Sequence, residues 1–274
     1  MFKNILFCVT TSCLVAATGW SADVRTVRFA SADDVQLSAT YYPVEADNAP
    51  AVLLLHNAAR SGDEWKAFAS YLQRNGIAAL APDLRGHGES TRRLTAQGPD
   101  RMDYTSFKDQ DFRDMLLDVN AAADWLTDQP GIDKRRIAVA GAGLGANIAL
   151  RYTTINEDIA ALLLLSPGIS YRGVRTDDVM KKLRPMPVRI VVARTDNFSF
   201  NSTKELTVIR KTAGIATPDK DIITCSGNLH GTEMINNVDK LPAALLEWLQ
   251  QSLGMSPPPT PTPPAPVAPA APKK

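Results

Sequence analysis

The stretch RIAVAGAGLGANIAL, residues 136–150, runs an apolar strand into a glycine cluster and out into a helix. Two chemistries use that arrangement. One is a cradle for the phosphates of a dinucleotide at a helix N-terminus; the other is a strained turn that lifts a nucleophile above a sheet. The rest of the chain decides between them.

Outward from this stretch, strands and helices alternate. Residues 24–29 and 35–42 are extended in character around the turn-prone Ser31-Ala32-Asp33-Asp34, which predicts an antiparallel hairpin. The segments 51–56 (AVLLLH), 77–82, 136–140, 161–165, 188–193 and 221–225 are largely apolar with little alternation, as expected of strands covered on both faces. Between the first two, Ser61 and Glu64 are spaced as a capping box, and Trp65, Phe68, Ala69 and Leu72 recur at helical spacing until Asn75-Gly76. A second helix carries Phe112, Met115, Leu116, Val119, Ala123 and Leu126 on its apolar face. Others run from the glycine cluster to Tyr152, over 203–212, and from Leu241 to Gly254, with a short amphipathic piece near 178–183. This order predicts an α/β fold: a mostly parallel sheet of about eight strands, helices on both faces, and ligands beyond the carboxyl ends of the strands.

Read as Gly141-x-Gly143-x-x-Ala146, the cluster satisfies the dinucleotide fingerprint. The fingerprint also needs an acid at the end of the next strand to hold a ribose hydroxyl, and that strand ends Leu163-Leu164-Leu165-Ser166-Pro167. It normally opens its domain as well, whereas several predicted strands come first. The dinucleotide enzyme becomes a minor alternative.

Four other stretches fall at strand ends: LLLHNAARSG around His56, DLRGHGES at 83–90, ARTDNFS with Asp196, and GNLHG with His230. Together with LLSPGISYRGV after the strand at 161–165, they resemble the α/β-hydrolase superfamily of esterases, lipases, dienelactone-hydrolase-like enzymes and peptidases. The resemblance covers residues 24–254. It implies an α/β-hydrolase fold with a small cap, for which residues 91–111 and 169–187 are candidates. It also implies Asp196 as the triad acid, His230 as the triad histidine, and an oxyanion hole from the backbone N–H groups of Leu144 and of Asn57 or Ala58. Asn57 replaces the glycine that usually follows this histidine. His56 and the 83–90 loop are expected to be structural, with His87 toward solvent or the cleft rim.

In the family's G-x-S-x-G elbow the central residue is the nucleophile; here the five residues are Gly141-Ala142-Gly143-Leu144-Gly145. Glycine has nothing with which to attack a carbonyl, so no acyl-enzyme forms at Gly143. Loss of a triad serine costs a model protease roughly 10⁶-fold in turnover. Cys225, late in the last strand, is expected to be buried and inert, Ser61 to cap its helix, and Ser166 to lack an elbow's exposure, so none is expected to substitute. Serine at 143 is expected to restore weak esterase activity if the surroundings are intact.

The ends are of different composition. Residues 1–22, with Lys3 before an apolar run and small residues between Gly19 and Ala22, are expected to be a signal peptide; the run is short for the ~20 residues of a bilayer span. The folded domain is expected over 23–254. Residues 255–274, proline-rich from Ser256 on, are expected to be an extended spacer, with a proline-reading protein module as a possible partner. The 274 residues carry 30 Lys+Arg against 29 Asp+Glu, a balance that argues against nucleic acid or an anionic membrane as the main partner. Of three cysteines, Cys8 and Cys13 fall in the signal segment, leaving Cys225 with no intramolecular disulfide.

The expectation is therefore an exported protein, periplasmic in a bacterium and otherwise secreted, with no stable membrane anchor. It keeps an Asp/His pair and a cleft for a small-molecule ligand, and it is inactive as a serine hydrolase: esterase-like in form, a pseudoenzyme in chemistry. The alternative is a hydrolase or lyase in which Asp196 and His230 act as a general base on water or substrate without an acyl-enzyme. No cofactor and no metal are expected.

Overall fold

The computed structural model describes residues 23–215 and 221–255. The expected signal peptide and the proline-rich tail from Ser256 on lie outside the described residues, while Met255 still donates its N–H to the carbonyl of Gln250 at 2.8 Å. In chain order the elements begin β1 (Arg25–Ala30), β2 (Val35–Tyr42), β3 (Ala49–Leu55), α1 (Lys66–Arg74), β4 (Ala78–Pro82), β5 (Arg92–Thr95) and β6 (Gly98–Arg101). Next come α2 (Asp109–Arg113), α3 (Met115–Thr127), β7 (Ile132–Ala142), α4 (Leu144–Ile155), β8 (Ile159–Leu165), β9 (Ser170–Tyr171), β10 (Val174–Arg175) and α5 (Asp177–Met180). The chain continues with β11 (Val188–Ala193), α6 (Asn197–Thr212), β12 (Ile222–Cys225), α7 (Glu233–Asn237) and α8 (Leu241–Ser252).

The main sheet has ten strands in the order β12-β11-β8-β7-β3-β4-β2-β5-β6, with β1 also paired to β2. From β12 to β4 every neighbouring pair is parallel. The strands β1, β2, β5 and β6 join antiparallel. The count exceeds the expected eight because the first cap candidate folds into the sheet. β4 pairs with β2 only over residues 39–42, leaving the start of β2 with an open edge that Arg92 and Arg93 of β5 fill. An open edge is a row of unpaired donors and acceptors, and the hairpin satisfies it. The second cap candidate forms the β9–β10 ribbon and α5.

The lack of alternation in the central strands follows from two cores, one on each face of the sheet. Leu53, Leu55, Leu162 and Leu164 pack with Met115, Val119, Leu126 and Ile148 of α3 and α4. Val52, Leu54, Leu163 and Leu165 pack with Trp65, Phe68, Leu72, Leu245 and Leu249 from the segment through α1 and from α8. Each fully buried Leu contributes ~1.5–3 kcal/mol relative to exposure. These two layers fix the central strands, and their carboxyl ends carry the residues described next.

Candidate functional site

Gly143 stands between β7 and α4 with φ 52° and ψ −114°, a region L-residues rarely occupy. Its N–H donates to Leu165 at the end of β8 at 2.9 Å, which holds the turn against the neighbouring strand. The glycines on either side are required by close approach. A Cβ on Gly141 would lie 2.2 Å from the carbonyl oxygen of Gly145, and one on Gly145 would lie 2.3 Å from that of Leu55.

A Cβ at Gly143 would meet Asn57, 2.1 Å from Oδ1 and 2.5 Å from Cγ. The Asn57 carboxamide therefore fills the volume where a side chain at 143 would begin. Its Oδ1 accepts two backbone N–H groups, from Ala58 at 2.8 Å and from Leu144 at 3.1 Å. The sequence nominates these donors for the oxyanion hole, and the chain's own carboxamide oxygen occupies both. The third candidate donor, the N–H of Asn57, is taken by Glu64 Oε1 at 2.5 Å.

Asp196 and His230 meet: Nδ1 lies 2.7 Å from Oδ2. Asp196 also caps α6, its Oδ1 accepting the N–H of Ser199 at 3.2 Å, which explains why this helix starts at Asn197 rather than at 203. Burial raises the Asp196 carboxyl, but its bonds to His230 and Ser199 outweigh that and hold it below the ordinary carboxylate range. An ionised partner at Nδ1 places the imidazole proton there and leaves Nε2 as the accepting atom. The backbone N–H of Gly231 donates to Ser166 Oγ at 3.0 Å, and a Cβ on Gly231 would lie 3.2 Å from that of Ala142, so the histidine loop rests against the elbow. Ser166 is fully buried in this bracing role.

Glu64 joins the two loops. Its Oε2 accepts from Thr232 Oγ1 at 3.0 Å while Oε1 holds Asn57, and burial pushes its carboxyl up. The expected capping box is absent: Ser61 makes no side-chain cap, and the Glu64 carboxylate holds the Asn57 N–H rather than that of Ser61. Tyr171 of the β9–β10 ribbon stands edge-on to His230 at 6.2 Å, its hydroxyl 2.9 Å from Ser199 Oγ. Burial pushes its phenol up to about 12, so it stays neutral. Sequence reasoning missed Glu64, Thr232 and Tyr171 as members of the site. A groove of about 510 Å³ adjoins it, lined in part by Arg60, Glu64, His87 and Tyr104.

His56 shapes the loop, its Nε2 accepting from Leu84 N–H at 2.9 Å and its Nδ1 donating to the Asn57 carbonyl at 2.7 Å. Burial foremost, with His87 nearby, pushes it down to about 3. His87 lines that groove but is buried rather than turned to solvent, because its ring stacks on Tyr104 at 4.2 Å and its nitrogens engage Ala59 N–H and the Arg85 carbonyl. Arg85, 1% exposed, lies between Asp118 and Asp33 at 2.7 and 2.8 Å. The 83–90 loop is thus an anchor behind the cleft. Cys225 is buried and unpaired, its thiol pushed up by burial. Among the described residues no group of three or more His, Cys, Asp or Glu is placed to hold a metal, and no helix is long and apolar enough to cross a membrane.

A mainly parallel sheet with this strand-to-helix turn at its centre and an acid and a histidine beyond the following strands is an α/β-hydrolase fold. The sequence profile of the serine aminopeptidase S33 family matches residues 46–230, and the chain belongs to that family. It is 30% identical over 151 residues to the uncharacterized protein Rv2307c of Mycobacterium tuberculosis, covering 55% of this chain and 48% of that one. It is 29% identical over 174 residues to the thiohydrolase aneE of Aspergillus aculeatus, covering 62% and 50%. The chain thus spans about half the length of these curated relatives. Among solved structures, the α/β hydrolase GrgF from Penicillium superposes with a TM-score of 0.68 at 14% identity, over 85% of this chain and all of that one.

Proposed function

We propose that this chain is an exported, non-catalytic member of the α/β-hydrolase fold, a binding protein that keeps the cleft of an esterase without its covalent chemistry. The observation that carries the reading is the pairing of Gly143 with Asn57. The residue at the family's nucleophile position has no side chain, and the space beside it is filled by a carboxamide whose oxygen takes both N–H donors that would stabilise a tetrahedral oxyanion. Nucleophile and oxyanion hole are lost together, and each loss removes several kcal/mol of transition-state stabilisation. The test is reaction with a fluorophosphonate probe and turnover of nitrophenyl butyrate. Neither is expected, and labelling or turnover that His230→Ala abolishes overturns the reading.

A second reading rests on the 2.7 Å Asp196–His230 contact. A histidine so oriented takes a proton from water or from a substrate without an acyl-enzyme. It requires an activity that His230→Ala removes and fluorophosphonate does not inhibit.

A further inference from the structure

The carboxamide of Asn57 has two ends, and only one is used inside the protein. Its oxygen accepts from Ala58 N–H at 2.8 Å and from Leu144 N–H at 3.1 Å. Two backbone donors converging on one atom settle which end is oxygen, since an NH₂ group there would face donors only. Nδ2 is the other end, 3.0 Å from where a Cβ on residue 143 would stand. Among the described residues nothing accepts from it, and it is not one of the buried side-chain atoms left without a partner. Asn57 is half-buried, so Nδ2 carries two hydrogens at a surface that water reaches.

We propose that Asn57 is a relay: the backbone donors at the elbow act through its carboxamide, and Nδ2 is the donor that binds a ligand's acyl oxygen. Hydrogen bonds in series polarise one another. An amide whose oxygen accepts two N–H bonds becomes a better donor at nitrogen. Leu144 N–H adds the positive end of α4 to the chain, at the first residue of a twelve-residue helix. In a catalytic site the backbone N–H groups would grip a developing oxyanion directly; here the donor moves outward by the length of the carboxamide and meets a ground-state oxygen. Gly143 permits this, because any side chain at 143 would evict the carboxamide. The Asp196-oriented imidazole lies beyond the same strand ends. Glu64 fixes the two loops relative to each other by holding both Asn57 N–H and Thr232 Oγ1. The ligand class is a compound presenting a carbonyl or carboxylate oxygen, as esters and their acid products do.

This inference rests on the non-catalytic reading of the site. The experiment is a titration of the full chain with methyl butyrate and, separately, with butyrate, followed by amide nuclear magnetic resonance. The side-chain NH₂ signals of Asn57 are expected to move with ligand. Asn57→Asp keeps the shape and an oxygen on both backbone donors, but turns the free donor into an acceptor. It is expected to weaken methyl butyrate about two- to tenfold, the range that one net hydrogen bond supports, and butyrate further by charge repulsion. A response to butyrate alone assigns the ligand as a carboxylate, and a response to both as an acyl oxygen of either kind. Wild-type protein that binds neither probe overturns the relay, as does unchanged affinity in Asn57→Asp. So does a titration that moves the Ala58 and Leu144 N–H signals but not Nδ2, which places the ligand in the hole itself. Turnover of methyl butyrate overturns the non-catalytic reading whatever the amide signals do, whereas silent amide signals overturn the relay alone.

Discussion

Gly143→Ser supplies the side chain that the G-x-S-x-G elbow carries at this position, and it is expected to give less activity alone than together with removal of the Asn57 side chain. Gly143→Ser places a side chain at φ 52° and ψ −114°, a strain of about 1–3 kcal/mol. Its Cβ would also fall 2.1 Å from Asn57 Oδ1, so the carboxamide must leave and surrender the N–H groups of Ala58 and Leu144. At about 0.5–1.5 kcal/mol for each bond, that adds ~1–3 kcal/mol. Asn57→Gly gives up the same two bonds without the clash. The two substitutions therefore share one loss, and the double variant is more stable than the sum of the singles by about 1–3 kcal/mol. Urea unfolding of the wild type, both singles and the double measures this coupling. Turnover of nitrophenyl butyrate follows the same logic. In Gly143→Ser the displaced carboxamide stays tethered beside the hole and competes with the substrate oxygen. In the double variant the hole is clear, and activity exceeds the single's by as much as the ~10²–10³-fold that one oxyanion-hole donor supports. Additivity within about 0.5 kcal/mol, or a single variant as active as the double, refutes the coupling of Asn57 to Gly143.

Two further outcomes test the scaffold behind the cleft. His56 is neutral in the fold and pushed down to about 3 by burial, against ~6.5 in the unfolded chain. Its contribution is therefore complete above that value and is lost as pH falls toward 3, by up to ~1.4 kcal/mol per pH unit; urea midpoints between these limits fall with acid, and His56→Asn flattens the slope. Asp118→Ala leaves the buried Arg85 guanidinium with Asp33 alone, an expected loss of about 3–5 kcal/mol; a loss in urea unfolding under 1 kcal/mol refutes the anchor.

The sheet was legible because strands covered on both faces need apolar residues at nearly every position, and 51–55 and 161–165 show that directly. Asp196 and His230 were legible from their places after consecutive strands, where the fold brings chain ends together. Asn57 was visible only as an exception to a pattern, since no sequence rule says that its carboxamide turns back onto Ala58 and Leu144. Glu64 was read locally, three residues after Ser61, whereas its carboxylate turns to the Asn57 N–H and to Thr232 Oγ1, partners that the capping-box spacing does not name. The β5–β6 hairpin was hidden for a similar reason. RRLT and GPDR lack the alternation of a half-buried strand, and they pair because β2 outruns β4.

The bond from Thr232 to Glu64 spans 168 residues of sequence. Contacts that close such long loops form only after the intervening chain has been ordered, because the entropy of closure must be met before they return anything. The Asn57 loop is thus locked by a residue that arrives with the last part of the fold. During synthesis the elbow and its carboxamide are present long before Thr232 is available to hold Glu64. A chain interrupted before the histidine loop would carry most of the sheet and still lack the brace that sets Asn57, so the geometry of the Asn57 loop reports completion of the whole domain.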